Sequence, residues 1–255
     1  MTRRERLVAT TLLELAEALV ADFDVVDLLG LLARRCVELL SISAAGVVLA
    51  DEAGYRRVMA CSTEQAWLVE LLQAQNDQGP CLDCYRGAAP VSADDLGRAR
   101  GRWPRFAPLA LDAGVRAAHA LPLRLRGSVL GALGLFANEP RALPGDDALL
   151  GRALADMAAI SLVHHHAAHD PRGLPVLLEA ALHSRSVIEQ SQGMLAERHQ
   201  IDLDEAFTLL RRHSQEHDQR LAATARAIVE RLAPARRPVL ARPTGLPERP
   251  GGPRW

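Results

Sequence analysis

Apolar and polar positions follow different rhythms along the chain. From about Thr2 to Val20 the spacing is helical, with Leu7, Leu12, Leu15 and Leu19 near one side. Asp24 stands where a cap is expected, and a second helix is predicted to about Leu40. The period then shortens. Ala45 to Ala50 reads as an apolar strand, Asp51-Glu52-Ala53-Gly54 as a turn, and Tyr55 to Cys61 as a second strand. Helical spacing returns at Glu64 to Gln73, and Gly79-Pro80 breaks it. Val91 marks a short extended piece, and Arg102 to Asp112 a helix around Pro104. Two strands, Val115 to Leu125 and Ser128 to Phe136, join at Arg126-Gly127, and Asp146 to about His166 is a long helix. This order predicts an α+β domain, a central antiparallel sheet flanked by helices.

Further on the rhythm is helical throughout. Val187, Met194 and Leu195 recur in one stretch, Leu203, Phe207 and Leu210 in the next, and Leu221, Ala225, Ile228 and Leu232 in the last. These predict an all-α three-helix unit whose core is Leu203, Ala206, Phe207, Leu221 and Ala225. Leu174, Ala181, Ile188 and Leu195 also recur every seven residues. They suit either a coiled-coil dimer seam or the inner face of the unit. Asp170-Pro171-Arg172-Gly173 should interrupt the chain, since Pro and Gly inside a helix cost about 3 and 1 kcal/mol relative to Ala. The expected organisation is a domain over 1–168, a linker over 169–176, the helical unit over 177–233, and a disordered Pro- and Arg-rich tail over 234–255.

The residues of the helical unit go beyond periodicity. I-E-Q-S-Q-G-M-L-A-E-R, D-E-A-F-T-L-L-R-R-H and R-L-A-A-T-A-R together resemble the ANTAR domain, a bacterial RNA-binding antitermination module. The resemblance implies a regulator that binds paired hairpins in nascent RNA and prevents a terminator from forming. The first domain resembles a GAF sensor. The carriers are Gly79-Pro80-Cys81-Leu82, Pro90-Val91, Ala120-Leu121-Pro122-Leu123, and Leu130-Gly131-Ala132-Leu133-Gly134-Leu135 ahead of the long helix. The pairing of the two is common in actinobacterial regulators.

Composition narrows the picture. The 255 residues carry a net charge of −1, so no global field draws nucleic acid. All 30 basic residues are Arg, which fits a GC-rich coding bias. Four Cys without a signal peptide point to a reducing cytoplasm. Leu28 to Leu40 is apolar but interrupted by Arg34, Arg35 and Glu38, and no stretch is clean enough to span a bilayer.

Arg211, Arg212 and His213 close the second helix of the unit, and Arg220 opens the third, with Arg226 beyond it. Arg suits bidentate contact with phosphate or a guanine edge. Ala222, Ala223 and Thr224 are small enough to let a helix start approach a nucleotide, and that N-terminus adds phosphate affinity. The resemblance points to the same corner. By themselves, such Arg residues also serve as solvated faces or complement a helix dipole. The chain departs from the family at Ser191-Gln192, where Ala-Lys is usual, at Asp218, usually Asn, and at Gln219, usually Arg. From Arg185 to Leu232 seven Arg face eight Asp and Glu. Phosphate binding depends on local positive charge, so weak or salt-sensitive affinity is expected. The tail's Arg236, Arg237, Arg242, Arg249 and Arg254 could add nonspecific attraction.

Cys81-Leu82-Asp83-Cys84 has the spacing of a redox pair or half a zinc site, against a structural turn after Gly79-Pro80. Nothing completes a zinc set. Cys36 and Cys61 read as buried thiols. His164, His165, His166 and His169 read as a polar helix end, so no metal is expected. His119 suits a pocket wall or a buried core position. Gly127, Gly131 and Gly134 lack the strand–loop–helix setting of a phosphate loop and mark a turn and close packing. The Asn-Lys-Phe-Asp-Glu set of cyclic-nucleotide-binding GAF domains is absent, and no tetrapyrrole-linking Cys is identifiable. No cofactor and no catalytic constellation is expected.

These observations predict a cytoplasmic, homodimeric, signal-responsive RNA-binding regulator. Its signal is a small molecule or protein acting at the GAF-like domain, by population shift. One alternative is a signalling protein whose helical unit only dimerises or binds protein. Another is a redox- or metal-responsive sensor.

Overall fold

The computed structural model describes residues 2–17, 24–50, 56–125, 127–169, 174–217 and 219–232. A five-stranded antiparallel sheet in the order β2-β1-β5-β4-β3 forms its centre. The strands are β1 (Ala44–Ala50), β2 (Arg56–Cys61), β3 (Val91–Ala93), β4 (Ala117–Leu125) and β5 (Ser128–Ala137). Gly131 of β5 pairs with Leu49, and a side chain there would run into the Val48 carbonyl, so the close approach of β1 and β5 requires glycine. Gly127 closes the β4–β5 hairpin at φ 88°, in the left-handed region; Arg126 lies outside the described residues, as does the expected turn at Asp51 to Gly54.

One sheet face is covered by α2 (Val25–Leu39) and α6 (Gly145–His169), with α1 (Arg3–Glu17) packed against both. Their Leu15, Leu29, Leu32, Leu154 and Leu162 join Val47, Leu121, Leu133 and Leu135 in the main core. Within α1, Leu7 and Leu12 are partly buried; Leu19 lies outside the described residues. Asp24 caps α2, its carboxylate accepting from the Val26 N–H at 2.8 Å. The other face carries α3 (Glu64–Asn76), α4 (Pro80–Gly87) and α5 (Phe106–Asp112), with Phe136 and Ala118 packed against Trp103, Phe106 and Val69.

Beyond shifts of up to three residues at other element ends, two boundaries differ from the sequence expectation. Gly79-Pro80 does not end structure but begins it. Gly79 adopts φ 138° and Pro80 takes the first helical position of α4, so Cys81 and Cys84 stand on a helix rather than in a turn. The helix expected from Arg102 starts only at Phe106, beyond Pro104.

The C-terminal unit consists of α7 (Leu174–His199), α8 (Leu203–Glu216) and α9 (Leu221–Leu232), with α7 against both others. Asp170 to Gly173 lie outside the described residues, as does the tail. Ile188, Leu195, Ala206, Leu210, Leu221 and Ala225 are buried, and they are continuous with the main core of the first domain. Leu203 does not join them: at the first position of α8 it is 46% exposed, and Leu210, two turns on, fills the inner face instead. Ile188 and Leu195 face this intramolecular core. The side chains of Leu174 and Ala181, the rest of the proposed seam, lie outside the described residues.

Candidate functional site

The eight proposed RNA-contact residues divide into two groups. Arg212, His213, Arg220, Ala223 and Arg226 are exposed around the α8–α9 corner. Arg212 pairs loosely with Glu216 at 3.8 Å, and the His213 and His217 rings lie 4.1 Å apart. Arg211, Ala222 and Thr224 instead turn inward. Thr224 is buried and its hydroxyl donates to Gln219 Oε1 at 3.3 Å. Of the departures from the family pattern, Ser191 is buried and donates to the Ile188 carbonyl, and Gln192 Nε2 donates to the Leu203 carbonyl at 2.7 Å, tying α7 to α8. Asp218 lies outside the described residues.

Arg211 and Ala222 meet the start of α2. Arg211 Nε lies 3.6 Å from Asp27 Oδ1, an ion pair too long for a hydrogen bond. The Ala222 N–H, in the first turn of α9, lies near enough to the Asp24 carboxylate to favour its charged form, though no hydrogen bond joins them. Burial raises the Asp24 carboxyl above its ordinary value, and the Val26, Asp27 and Ala222 amides partly offset this. Arg34, also on α2, is pushed down to about 10 by burial and then by the neighbouring Arg211 charge. Asp27 Oδ1, Arg34 Nη2 and Arg211 Nε are buried, each without a hydrogen-bond partner. Such atoms cost about 1–3 kcal/mol apiece, so this polar seam weakens the join between the two units.

A second contact links them. The Arg185 guanidinium of α7 lies 3.7 Å from the centroid of Trp67 on α3, and its Nε and Nη2 donate to Glu189 Oε1 at 2.8 and 2.7 Å. Sequence reasoning missed this pair. Arg185 opens the ANTAR-like stretch, but nothing local ties it to a Trp more than a hundred residues earlier.

On the α3–α4 side lies an unforeseen polar cluster. Glu70 of α3 is fully buried, and desolvation pushes its carboxyl up to about 8, despite a favourable bond from Cys81. Cys81 Sγ donates to its Oε1 at 3.3 Å and Gln73 Nε2 to its Oε2 at 2.8 Å, while Gln73 Oε1 accepts the Cys81 N–H at 2.9 Å. Gly46 and Gly134 make the room, since a side chain at either would collide with Glu70. Beside it Val48, Gln73, Tyr85 and Ala132 line a cavity of about 10 Å³, the size of one water. Only the singular acidic position in an otherwise apolar helix turn hinted at this.

Cys81 and Cys84 are free and buried; burial pushes Cys84 up to about 12 and, with the Glu70 charge, holds Cys81 well above the usual thiol range. Both therefore stand as thiols, poor in the thiolate that exchange requires. Cys36 is likewise buried and pushed up to about 12; Cys61 is half-buried and raised, also by desolvation. His119 faces away from the Glu70 cluster, buried in β4 with neither ring nitrogen hydrogen-bonded, and burial lowers its pKa despite Asp94 at 3.9 Å. The side chains of His165, His166 and His169 lie outside the described residues. Among the described residues no group of His, Cys, Asp and Glu is placed to hold a metal, and no helix is long and apolar enough to cross a membrane.

Comparison with known proteins follows the same division. The ANTAR domain model matches residues 177–229, and a GAF domain model matches 24–163. No curated protein matches the chain. Among solved structures, the GAF domain of an Acinetobacter phosphoenolpyruvate-protein phosphotransferase is 16% identical, with TM-score 0.52, covering 67% of this chain and 99% of that one. Free methionine-R-sulfoxide reductase from Neisseria meningitidis is 17% identical with TM-score 0.51, covering 66% and 95%. At these identities the likeness concerns fold alone, and the same fold serves an enzyme in the second case. With its five-stranded antiparallel sheet, helices on both faces and a family match spanning more than half its length, the chain belongs to the GAF domain family and carries an ANTAR domain at its C-terminal side.

Proposed function

We propose that this protein is a signal-responsive, RNA-binding regulator of transcription antitermination that binds paired hairpins in nascent transcripts. The observation that carries the reading is the ANTAR match over 177–229. Its α8–α9 corner offers Arg212, His213, Arg220, Ala223 and Arg226 to solvent. Arg supplies the bidentate phosphate and base-edge contacts, and the start of α9 supplies backbone N–H groups for a phosphate. A homodimer would offer two corners to two hairpins, raising the effective concentration of the second contact. The GAF domain receives a small-molecule or protein signal, and the shared core of the two units gives the change a route to α7.

The test is fluorescence anisotropy of the full chain with a two-hairpin RNA and a scrambled control, for wild type and for Arg212→Ala with Arg220→Ala. Selective binding that the double variant loses, with its circular dichroism and mass in solution unchanged, supports the reading. Equal binding of wild type and variant removes these residues from the interface. A second reading, in which the helical unit binds protein or only dimerises, is favoured by its excess of acidic over basic residues. It predicts no selective RNA binding under any signal and at any salt concentration.

A further inference from the structure

Residues assigned to RNA on chemical grounds are already engaged by the GAF domain. Arg211 faces Asp27, and the N-terminal turn of α9 faces Asp24. These are the two kinds of group that bind phosphate, a guanidinium and a helix N-terminus. In each case a carboxylate of α2 stands where a phosphate oxygen would.

The two carboxylates come from one turn of one helix, so they act as a pair. Ala222, proposed as part of the close-approach surface for a nucleotide, is buried at this seam, and Thr224 is buried as well. The seam is also imperfect. Asp27 Oδ1, Arg34 Nη2 and Arg211 Nε all lack hydrogen bonds, and Arg34 sets a second cation beside Arg211. A contact meant only to hold two units together would be expected to satisfy or omit these atoms. Their retention favours a seam that opens, since each orphaned atom regains water on separation.

We propose that Asp24 and Asp27 are an internal stand-in for two RNA phosphates, an autoinhibitory clasp that covers the Arg211 and Ala222 side of the α8–α9 corner until it is displaced. The clasp rests on the RNA-binding reading given above. It leaves Arg212, Arg220 and Arg226 outside as a first landing site. Full binding requires α8 and α9 to exchange the carboxylates of α2 for RNA.

The experiment compares the full chain with Asp24→Asn/Asp27→Asn. Asn caps a helix as well as Asp, so α2 keeps its start. A charge-matched control, Asp112→Asn/Glu139→Gln, removes two exposed negative charges elsewhere on the domain. Anisotropy with two-hairpin and scrambled RNA is read beside hydrogen–deuterium exchange of the α9 amides. The clasp variant should bind two-hairpin RNA at least about fivefold more tightly than wild type and the control, in the range of ordinary coupling between sites. Its Ala222–Ala225 amides should exchange faster, and adding Arg211→Ala should abolish the gain. RNA binding that is present but unchanged in the clasp variant, or equally raised in the control, overturns the clasp. Unaltered exchange overturns it too. If exchange rises and no protein binds either RNA, the RNA-binding reading itself has failed, and the clasp as a guard of that site falls with it.

Discussion

Replacing Glu70 with Gln should stabilise the protein near neutral pH and have little effect in acid. Glu70 is fully buried, and its folded pKa of about 8 stands well above its ordinary 4.5. Below about pH 4.5 both folded and unfolded chains hold the proton, and the folded state pays no ionisation penalty. Between the two values the unfolded chain has released the proton while the folded one retains it. The folded state then binds more protons, so stability falls as pH rises, by about 1.4 kcal/mol per pH unit. Across the window the loss approaches about 5 kcal/mol, and above pH 8 it grows no further. Glu70→Gln cannot ionise and so lacks this slope. Its carbonyl oxygen can accept from Gln73 Nε2, which bonds Glu70 Oε2 at 2.8 Å, and its amide can face Cys81 Sγ, now 3.3 Å from Oε1. Urea unfolding followed by Trp fluorescence, on both proteins from pH 4.5 to 8, isolates the term because other titrating groups cancel in the difference. At pH 7.5 the variant should be more stable by about 4 kcal/mol, and at pH 4.5 nearly equal. A difference that stays constant across this range would refute the reasoning and mean that burial does not hold Glu70 neutral.

Gly134→Ala would drive a methyl group into the Glu70 carboxylate and to 2.8 Å from Phe136 Cζ, and should cost about 1–3 kcal/mol by urea unfolding. Arg185→Ala removes the stack on Trp67 and the Glu189 bonds; it should loosen α7 selectively, by about 1–2 kcal/mol, read as faster amide exchange there with α6 unchanged. Cys81 and Cys84, held as thiols, should resist iodoacetamide at pH 7 in the folded protein and react fully in urea; rapid labelling of the native chain would show an activated cysteine.

The sequence announced what is local and periodic. The cap at Asp24, the Ser128-to-Phe136 strand and the helical stripe through Leu210, Leu221 and Ala225 each rest on neighbours within a few turns. What stayed hidden depends on contacts far apart in the chain. The burial of Glu70 has almost no local signal, because it is made by glycines of β1 and β5. Gly79-Pro80 looked like a break, but α3 has already ended at Asn76 with Asp77 in the left-handed region, and the pair starts α4 once Gly79 takes a positive φ. Arg211 could be assigned a chemistry from its type and place, but its occupant, Asp27, comes from a helix nearly two hundred residues earlier.

The position of α7 has a consequence for the exposed margin of the sheet. β2 is an outer strand, and α7 packs beside it while also touching α2. An outer strand offers unpaired backbone groups to any other chain, a hazard that proteins limit by covering the margin or charging it. Here the helical unit is part of the cover, and Arg57 adds an exposed charge on the strand itself. Moving α7 away would therefore uncover a strand able to pair with a second molecule. If the clasp proposed above opens by moving the helical unit, the uncovered strand would favour brief release or immediate capture of the freed chain by RNA.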